Sequence, residues 1–214
     1  MMRVLRRFAF LALACGAGPL GAQSRLEVGA LANATVASVT RLGLNANELS
    51  GPVLGAGVLA RYSRVSLEAG YLEGQLGAAN SALGAKETFA EASAVLRVAV
   101  GGGVTLGVGP RARAFIADGG TVRWMRTELR GGWRGEVVPG RAWADVEMWQ
   151  VMSAEVNAQG GADGGRGGTA GLSMRLPNSA FTLRLAYTAD RVGFANGASE
   201  FIDGVTLGLR FGRF

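Results

Sequence analysis

Apolar residues recur at every second position along most of this chain. The closing stretch, VTLGLRFGRF (205–214), is the cleanest case: Val205, Leu207, Leu209 and Phe211 alternate with Thr206, Gly208, Arg210 and Gly212, and Phe214 comes last. A period of two predicts a strand with one apolar and one polar face.

The same period predicts nine earlier strands. In 24–34, Leu26, Val28 and Ala30 oppose Arg25, Glu27 and Gly29. In 52–62, Leu54, Ala56, Val58, Ala60 and Tyr62 oppose Gly55, Gly57 and Arg61. Strand 65–74 sets Val65, Leu67, Ala69 and Tyr71 against Ser66, Glu68 and Gly70. Strand 87–100 sets Ala90, Ala92, Ala94, Leu96 and Val98 against Glu91, Ser93 and Arg97. Along 104–116, Leu106, Val108, Ala112, Ala114 and Ile116 alternate with Gly107, Gly109, Arg111 and Arg113. Segment 122–137 is the least regular, with Leu129, Gly131 and Trp133 against Glu128, Arg130 and Arg134. Segment 141–153 places Ala142, Ala144, Val146 and Met148 opposite Trp143, Asp145, Glu147 and Trp149. Strands 169–176 and 180–189 follow, with Leu172 and Met174 against Ser173 and Arg175, then Phe181, Leu183, Leu185 and Tyr187 against Thr182, Arg184 and Thr188.

The connections alternate in length. SR, GGG, VPG and PNS join the second to third, fourth to fifth, sixth to seventh and eighth to ninth strands. The intervening links, 35–51, 75–86, 117–121, 157–168 and 190–199, are mostly longer. Short turns at one rim and long loops at the other describe a transmembrane barrel. A sandwich mixes connection lengths at both ends.

Composition strengthens this reading. Hydrophobic residues make up 49% of the 214, charged residues only 18%, and 35 are glycine. After residue 22 no apolar run approaches the ~18 residues of a spanning helix. In lipid every backbone polar group must be paired within the protein, so a spanning sheet has to close. The expected fold is therefore all-β: a closed antiparallel transmembrane β-barrel of ten strands, with eight or twelve as the next choices. A soluble lipocalin-like or sandwich protein is the alternative fold.

The start of the chain reads as a leader. Arg3, Arg6 and Arg7 precede FAFLALA (8–14) and then small residues through GPLGAQ, the layout of a secretory signal peptide. Residues 1–22 are expected to be removed, leaving 23–214 as the barrel. The only cysteine, Cys15, departs with the leader unless it is lipidated instead, the alternative reading of ALAC. The net charge of +6 comes from 22 basic and 16 acidic residues; without the three leader arginines the balance is 19 to 16, or +3. No basic cluster remains, so nucleic acid is not an expected partner.

VTLGLRFGRF resembles the C-terminal assembly signal of bacterial outer-membrane barrel proteins, which ends in Phe. The resemblance assigns that role to Leu207, Leu209, Phe211 and Phe214, and implies contact with the barrel-assembly machinery and with outer-membrane lipid and lipopolysaccharide. Phe214 departs from the pattern in being out of phase with Phe211, which a bulge at Gly212 would correct. The outer-membrane barrel enzymes of known type rely on a catalytic histidine. This chain has none, so the resemblance transfers no activity, and imidazole-based nucleophiles and His-ligated zinc are excluded. Asp145 and Glu147 are the only spacing that recommends an acid–base pair, and two carboxylates on one strand face fit a salt-bridge row equally well. The loop NAQGGADGGRGG (157–168) offers a single acid, Asp163, too few oxygens for calcium.

The inward charges are the remaining clue. Arg111, Arg113, Arg130 and Arg134 face Asp145 and Glu147 on the next strand. Glu91, Glu68 and Glu27 lie on one side, and Arg175, Arg184 and Arg210 on the other. Opposite charges on adjacent strands pair across a sheet, and a barrel of this size is narrow enough to be filled by side chains. The expected function is a monomeric, non-enzymatic structural or surface-interaction protein with a filled lumen and no cofactor or metal. A narrow anion-preferring pore is the alternative, and a soluble periplasmic binding protein the second.

Overall fold

The computed structural model describes residues 25–43, 47–78, 86–157 and 161–212. The expected leader, Cys15 and Phe214 lie outside the described residues. Ten strands follow one another: β1 (Leu26–Leu42), β2 (Asn47–Tyr62), β3 (Val65–Ala78), β4 (Lys86–Gly101), β5 (Val104–Ala117), β6 (Gly120–Val138), β7 (Ala142–Val156), β8 (Ala162–Arg175), β9 (Phe181–Phe194) and β10 (Ser199–Phe211). Each pairs antiparallel with its sequence neighbours. β1 also pairs with β10, Val36 opposite Val205, and the sheet closes. Closure leaves no edge with unpaired amides, the condition a membrane imposes. The strand number is ten because 118–119 form a tight hairpin, with Ala117 opposite Gly120.

Both ends of the barrel sequence lie at one rim, the terminal rim, with four short turns. Each turn holds a residue at positive φ: Ser63 (55°), Gly102 and Gly103 (58° and 80°), Gly140 (66°) and Asn178 (51°). Tight hairpins require such backbone to match the strand twist. Gly212, just past β10, has φ 134°.

The far rim differs from the sequence expectation. Segments 35–51 and 190–199 run mostly as strand, and β8 begins at Ala162 inside the glycine-rich stretch 157–168. The strands are therefore 13 to 19 residues long, more than the ~9–11 that cross a bilayer.

The extra length is explained by a change in the outer face. Toward the terminal rim the outward row is apolar and exposed: Leu26, Val28, Leu54, Val58, Leu67, Leu106, Leu129, Leu172, Leu185 and Leu207. Toward the far rim the same rows turn polar and stay exposed, with Glu48, Glu73, Lys86, Arg123, Glu155, Arg166 and Arg191. The boundary is marked by tyrosines. The Tyr71 hydroxyl donates to Glu73 at 2.7 Å, and that of Tyr187 to Asp203 at 2.9 Å. An apolar ring carrying a wet hydroxyl suits a membrane–water interface. Tyr71 and Tyr187 thus lie in mid-strand rather than near the strand ends the sequence implies. The other border carries Tyr62, Trp133 and the tilted pair Phe181–Phe211, whose ring centroids are 5.2 Å apart.

The inward face inverts with the outward one. Within the polar-walled far half the lumen holds an apolar cluster: Ala37, Val39, Leu49, Val53, Leu76, Phe89, Phe115 and Ile202, all at most 8% exposed. That half is built like a water-soluble barrel. The apolar-belted half has its charges inside.

Candidate functional site

Alternation places charged side chains from strands all round the barrel in the lumen, where three layers can be distinguished. Deepest, under the apolar cluster, Arg113 donates to Glu91 at 2.8 and 2.6 Å and to Asp190 at 2.9 Å. Arg126 donates to Asp190 at 2.5 Å, and the Trp149 indole N–H reaches the other Asp190 oxygen at 3.2 Å. Glu128, fully buried, is ringed by Arg126 at 2.7 Å, Arg111 at 3.4 Å and Arg130. Arg111 and Arg130 sandwich the Trp149 ring at 5.0 and 4.9 Å, a cation–π arrangement strengthened by desolvation. Arg111, Arg113 and Arg126 are thus matched by Glu91, Glu128 and Asp190.

The middle layer joins neighbouring strands along the wall and distant ones across the lumen. Glu147 on β7 accepts from Arg97 on β4 at 2.8 Å and from Arg130 at 2.5 Å. Glu68 on β3 meets Arg97 at 3.4 Å and Arg210 of β10 at 3.6 Å. Glycines allow this packing: a Cβ on Gly107 would come 3.0 Å from Arg97 Cγ, and one on Gly109 only 1.9 Å from the Ala94 carbonyl oxygen.

The mouth layer, nearest the terminal rim, holds Arg134, Arg175, Arg184 and Arg210. Arg184 is bound by Asp145, while Arg134 and Arg175 lie over the Trp143 ring at 4.8 and 5.5 Å. A cavity of about 750 Å³ runs from rim residues such as Arg64 and Gly103 past these arginines to Val53, Phe89 and Ile202 of the apolar cluster.

Ten of the eleven lumen residues named from the sequence (Glu68, Glu91, Arg111, Arg113, Arg130, Arg134, Asp145, Glu147, Arg184, Arg210) line the lumen cavity, while Arg175 is exposed at the rim and lies over the Trp143 ring. Asp145 and Glu147 do not act together, because each is engaged by different arginines. Sequence reasoning missed Arg126, Asp190 and Glu200 altogether, together with the Arg41–Glu87 pair at 2.8 Å. Asp190 and Arg41 fall in segments read as loops, and Glu200 at the first position of the closing strand, read as 200–214. Trp124 is an inward packing residue against Phe194, and Trp133 an outward one. In the C-terminal strand Leu207, Leu209 and Phe211 face outward and exposed. Among the described residues no group of three or more His, Cys, Asp or Glu is placed to hold a metal.

No protein-family model matches the chain, and no curated protein matches its sequence. Solved structures do resemble it. The translocator domain of the autotransporter NalP from Neisseria meningitidis aligns over 98% of this chain and 94% of its own, at 11% identity and a TM-score of 0.50. The transport unit of the autotransporter AIDA-I from Escherichia coli aligns over 97% of both chains, at 11% identity and a TM-score of 0.42. Neisserial surface protein A covers 86% of this chain and 96% of its own, at 15% identity and a TM-score of 0.41. The chain has the fold of bacterial outer-membrane β-barrels.

Proposed function

We propose that this protein is an integral outer-membrane barrel with a sealed lumen, serving as a non-enzymatic structural or surface-interaction protein. The observation that carries the reading is the order of layers inside it. Glu128, at 0% exposure among three arginines, is followed toward the far rim by an apolar cluster in which Val39 and Leu76 are also at 0%. The cavity that enters at the terminal rim passes the ionic layer and reaches Val53, Phe89 and Ile202 of that cluster, so a continuous water column would have to displace the apolar residues. The wide belt of exposed leucines and valines supports residence in lipid over a soluble periplasmic life, since monomeric soluble proteins rarely expose such a surface. The far rim, with its polar outer wall, is the part that meets the outside and lipopolysaccharide. The outward row Leu207, Leu209 and Phe211 on the strand that closes against β1 supports the assembly-signal role, and the absence of a sheet edge supports a monomer.

Planar-bilayer recording of the purified protein tests the seal. Silence at moderate voltage is the expected result. Steady open steps with anion preference would favour the pore reading instead, with Arg134, Arg184 and Arg210 as its selectivity ring.

A further inference from the structure

The two ionic ends of the lumen are not equally balanced. In the deep layer every arginine has a carboxylate partner within 3.4 Å or is bound by Glu128. At the mouth, four arginines share one dedicated acid. Asp145 is taken by Arg184, and Glu68, the acid nearest Arg210, sits 3.6 Å from it while also serving Arg97. Arg134 has no ion pair among the described residues, and its Nε is buried without a hydrogen-bond partner there. Arg175, Arg184 and Arg210 all lie close enough to repel it. The other nearby acid, Glu136, caps its own turn by accepting from the Gly140 amide at 3.3 Å. Glu27 lies opposite Arg61 on the neighbouring strand.

Guanidinium groups that outnumber the acids packed beside them repel each other unless a further anion joins them. Here they line a hollow together with two hydroxyl side chains: Arg134, Arg184, Arg210, Ser173 and Thr182 surround it. This hollow adjoins the large cavity that reaches the terminal rim, since Arg134, Arg184, Arg210 and Ser173 line both. Glycine again makes the room, as a Cβ on Gly171 would meet the Arg184 guanidinium at 3.0 Å. Trp143 carries Arg134 over its ring at 4.8 Å and Asp145 holds Arg184, so these forks arrive positioned rather than free. Preoriented guanidinium forks with hydroxyl donors match the geometry of a phosphate-class oxyanion.

We propose that the mouth of the barrel binds a small phosphate-class oxyanion from the terminal rim, through Arg134, Arg184 and Arg210 with the hydroxyls of Ser173 and Thr182. The oxyanion is either a free solute or the headgroup of a phospholipid reaching over the rim. The site is independent of the seal: conductance reads the far half, and anion titration reads the mouth.

The test uses the full mature chain folded in an uncharged detergent, titrated with inorganic phosphate at constant ionic strength set by chloride. Calorimetry and phosphorus NMR line broadening report binding. Saturable binding of one phosphate per chain is expected. Arg134→Gln and, separately, Arg184→Gln should each weaken it roughly tenfold or more, the scale of one charged hydrogen bond. Arg61→Gln, at the rim outside the hollow, should leave it unchanged. Arg134→Gln removes a repelled charge, so its barrel should stay folded by gel mobility and circular dichroism. Micelles doped with phosphatidylglycerol separate the two sources: competition with free phosphate identifies the headgroup, and its absence identifies the solute. No saturable binding, or equal binding by wild type and Arg134→Gln, overturns the proposal. Binding that emerges only after Arg213 and Phe214 are deleted also overturns it, because the chain's own carboxylate would then be the anion that fills the mouth.

Discussion

Replacing Asp190 with alanine removes the acceptor of three hydrogen bonds, from Arg113 at 2.9 Å, Arg126 at 2.5 Å and Trp149 at 3.2 Å. The side chain is 2% exposed, so water can replace its three hydrogen bonds only in part. Arg113 keeps Glu91 and Arg126 keeps Glu128, which caps the damage below complete loss of both partners. Breaking a buried ionic cluster by deleting one member costs about 3–5 kcal/mol. At roughly 1.4 kcal/mol per decade, that shifts the folded-to-unfolded ratio two to three and a half orders of magnitude. Asp163, an exposed acid on the neighbouring strand β8, is the control, and its alanine variant should change stability by less than ~0.5 kcal/mol. The assay is reversible urea unfolding in lipid vesicles, followed by tryptophan emission and by the gel shift of folded barrels. A second variant guards the logic. Asp190→Leu combined with Arg126→Met replaces the pair by apolar groups of similar size and should recover most of the loss, because buried ion pairs cost heavily in desolvation. Equal tolerance of Asp190→Ala and Asp163→Ala, or no recovery in the double variant, would refute the claim that the lumen is a closed ionic network.

Two further outcomes follow from the wall. Leu185→Arg, outward and 55% exposed in the apolar belt, should destabilise the vesicle-inserted barrel by about 2–4 kcal/mol. Arg191→Leu, outward above the belt, should change it little in the same unfolding assay. Gly109→Ala should cost about 1–3 kcal/mol by overpacking, since its Cβ would meet the Ala94 carbonyl oxygen at 1.9 Å. Gly131→Ala, outward with open space around it, should be neutral, as compared by urea midpoints.

The strands were legible because a membrane wall forces strict alternation with one sense, apolar out and polar in. Where the wall leaves the belt that sense reverses. In β3, Leu67 and Tyr71 point outward with Glu68 inward, but a few residues later Glu73 and Gln75 point outward with Leu72 and Leu76 inward. A segment with reversed faces and many glycines, such as 157–168, reads as loop, and Asp190 and Arg41 went unrecognised in such segments. The register shift beside Thr127 and Glu128 skips Met152, so the extra residue lies in β7, and the inward row Trp124, Arg126, Glu128 and Arg130 of the sixth strand keeps an unbroken alternation. Parity told which side chains enter the lumen. Which of them meet across it, as Arg97 meets Glu147, depends on the stagger of the closed barrel, and no single strand carries that information.

Residues 23–214 contain no cysteine, so single cysteines can be placed along β3 and labelled with a fluorophore in reconstituted vesicles. Labels at 67 and 69 should be quenched by nitroxide lipids and shielded from iodide, those at 73 and 75 should show the reverse, and 72 and 76 should resist labelling. Iodide quenching at all four outward positions would contradict the membrane-spanning barrel on which the whole account depends.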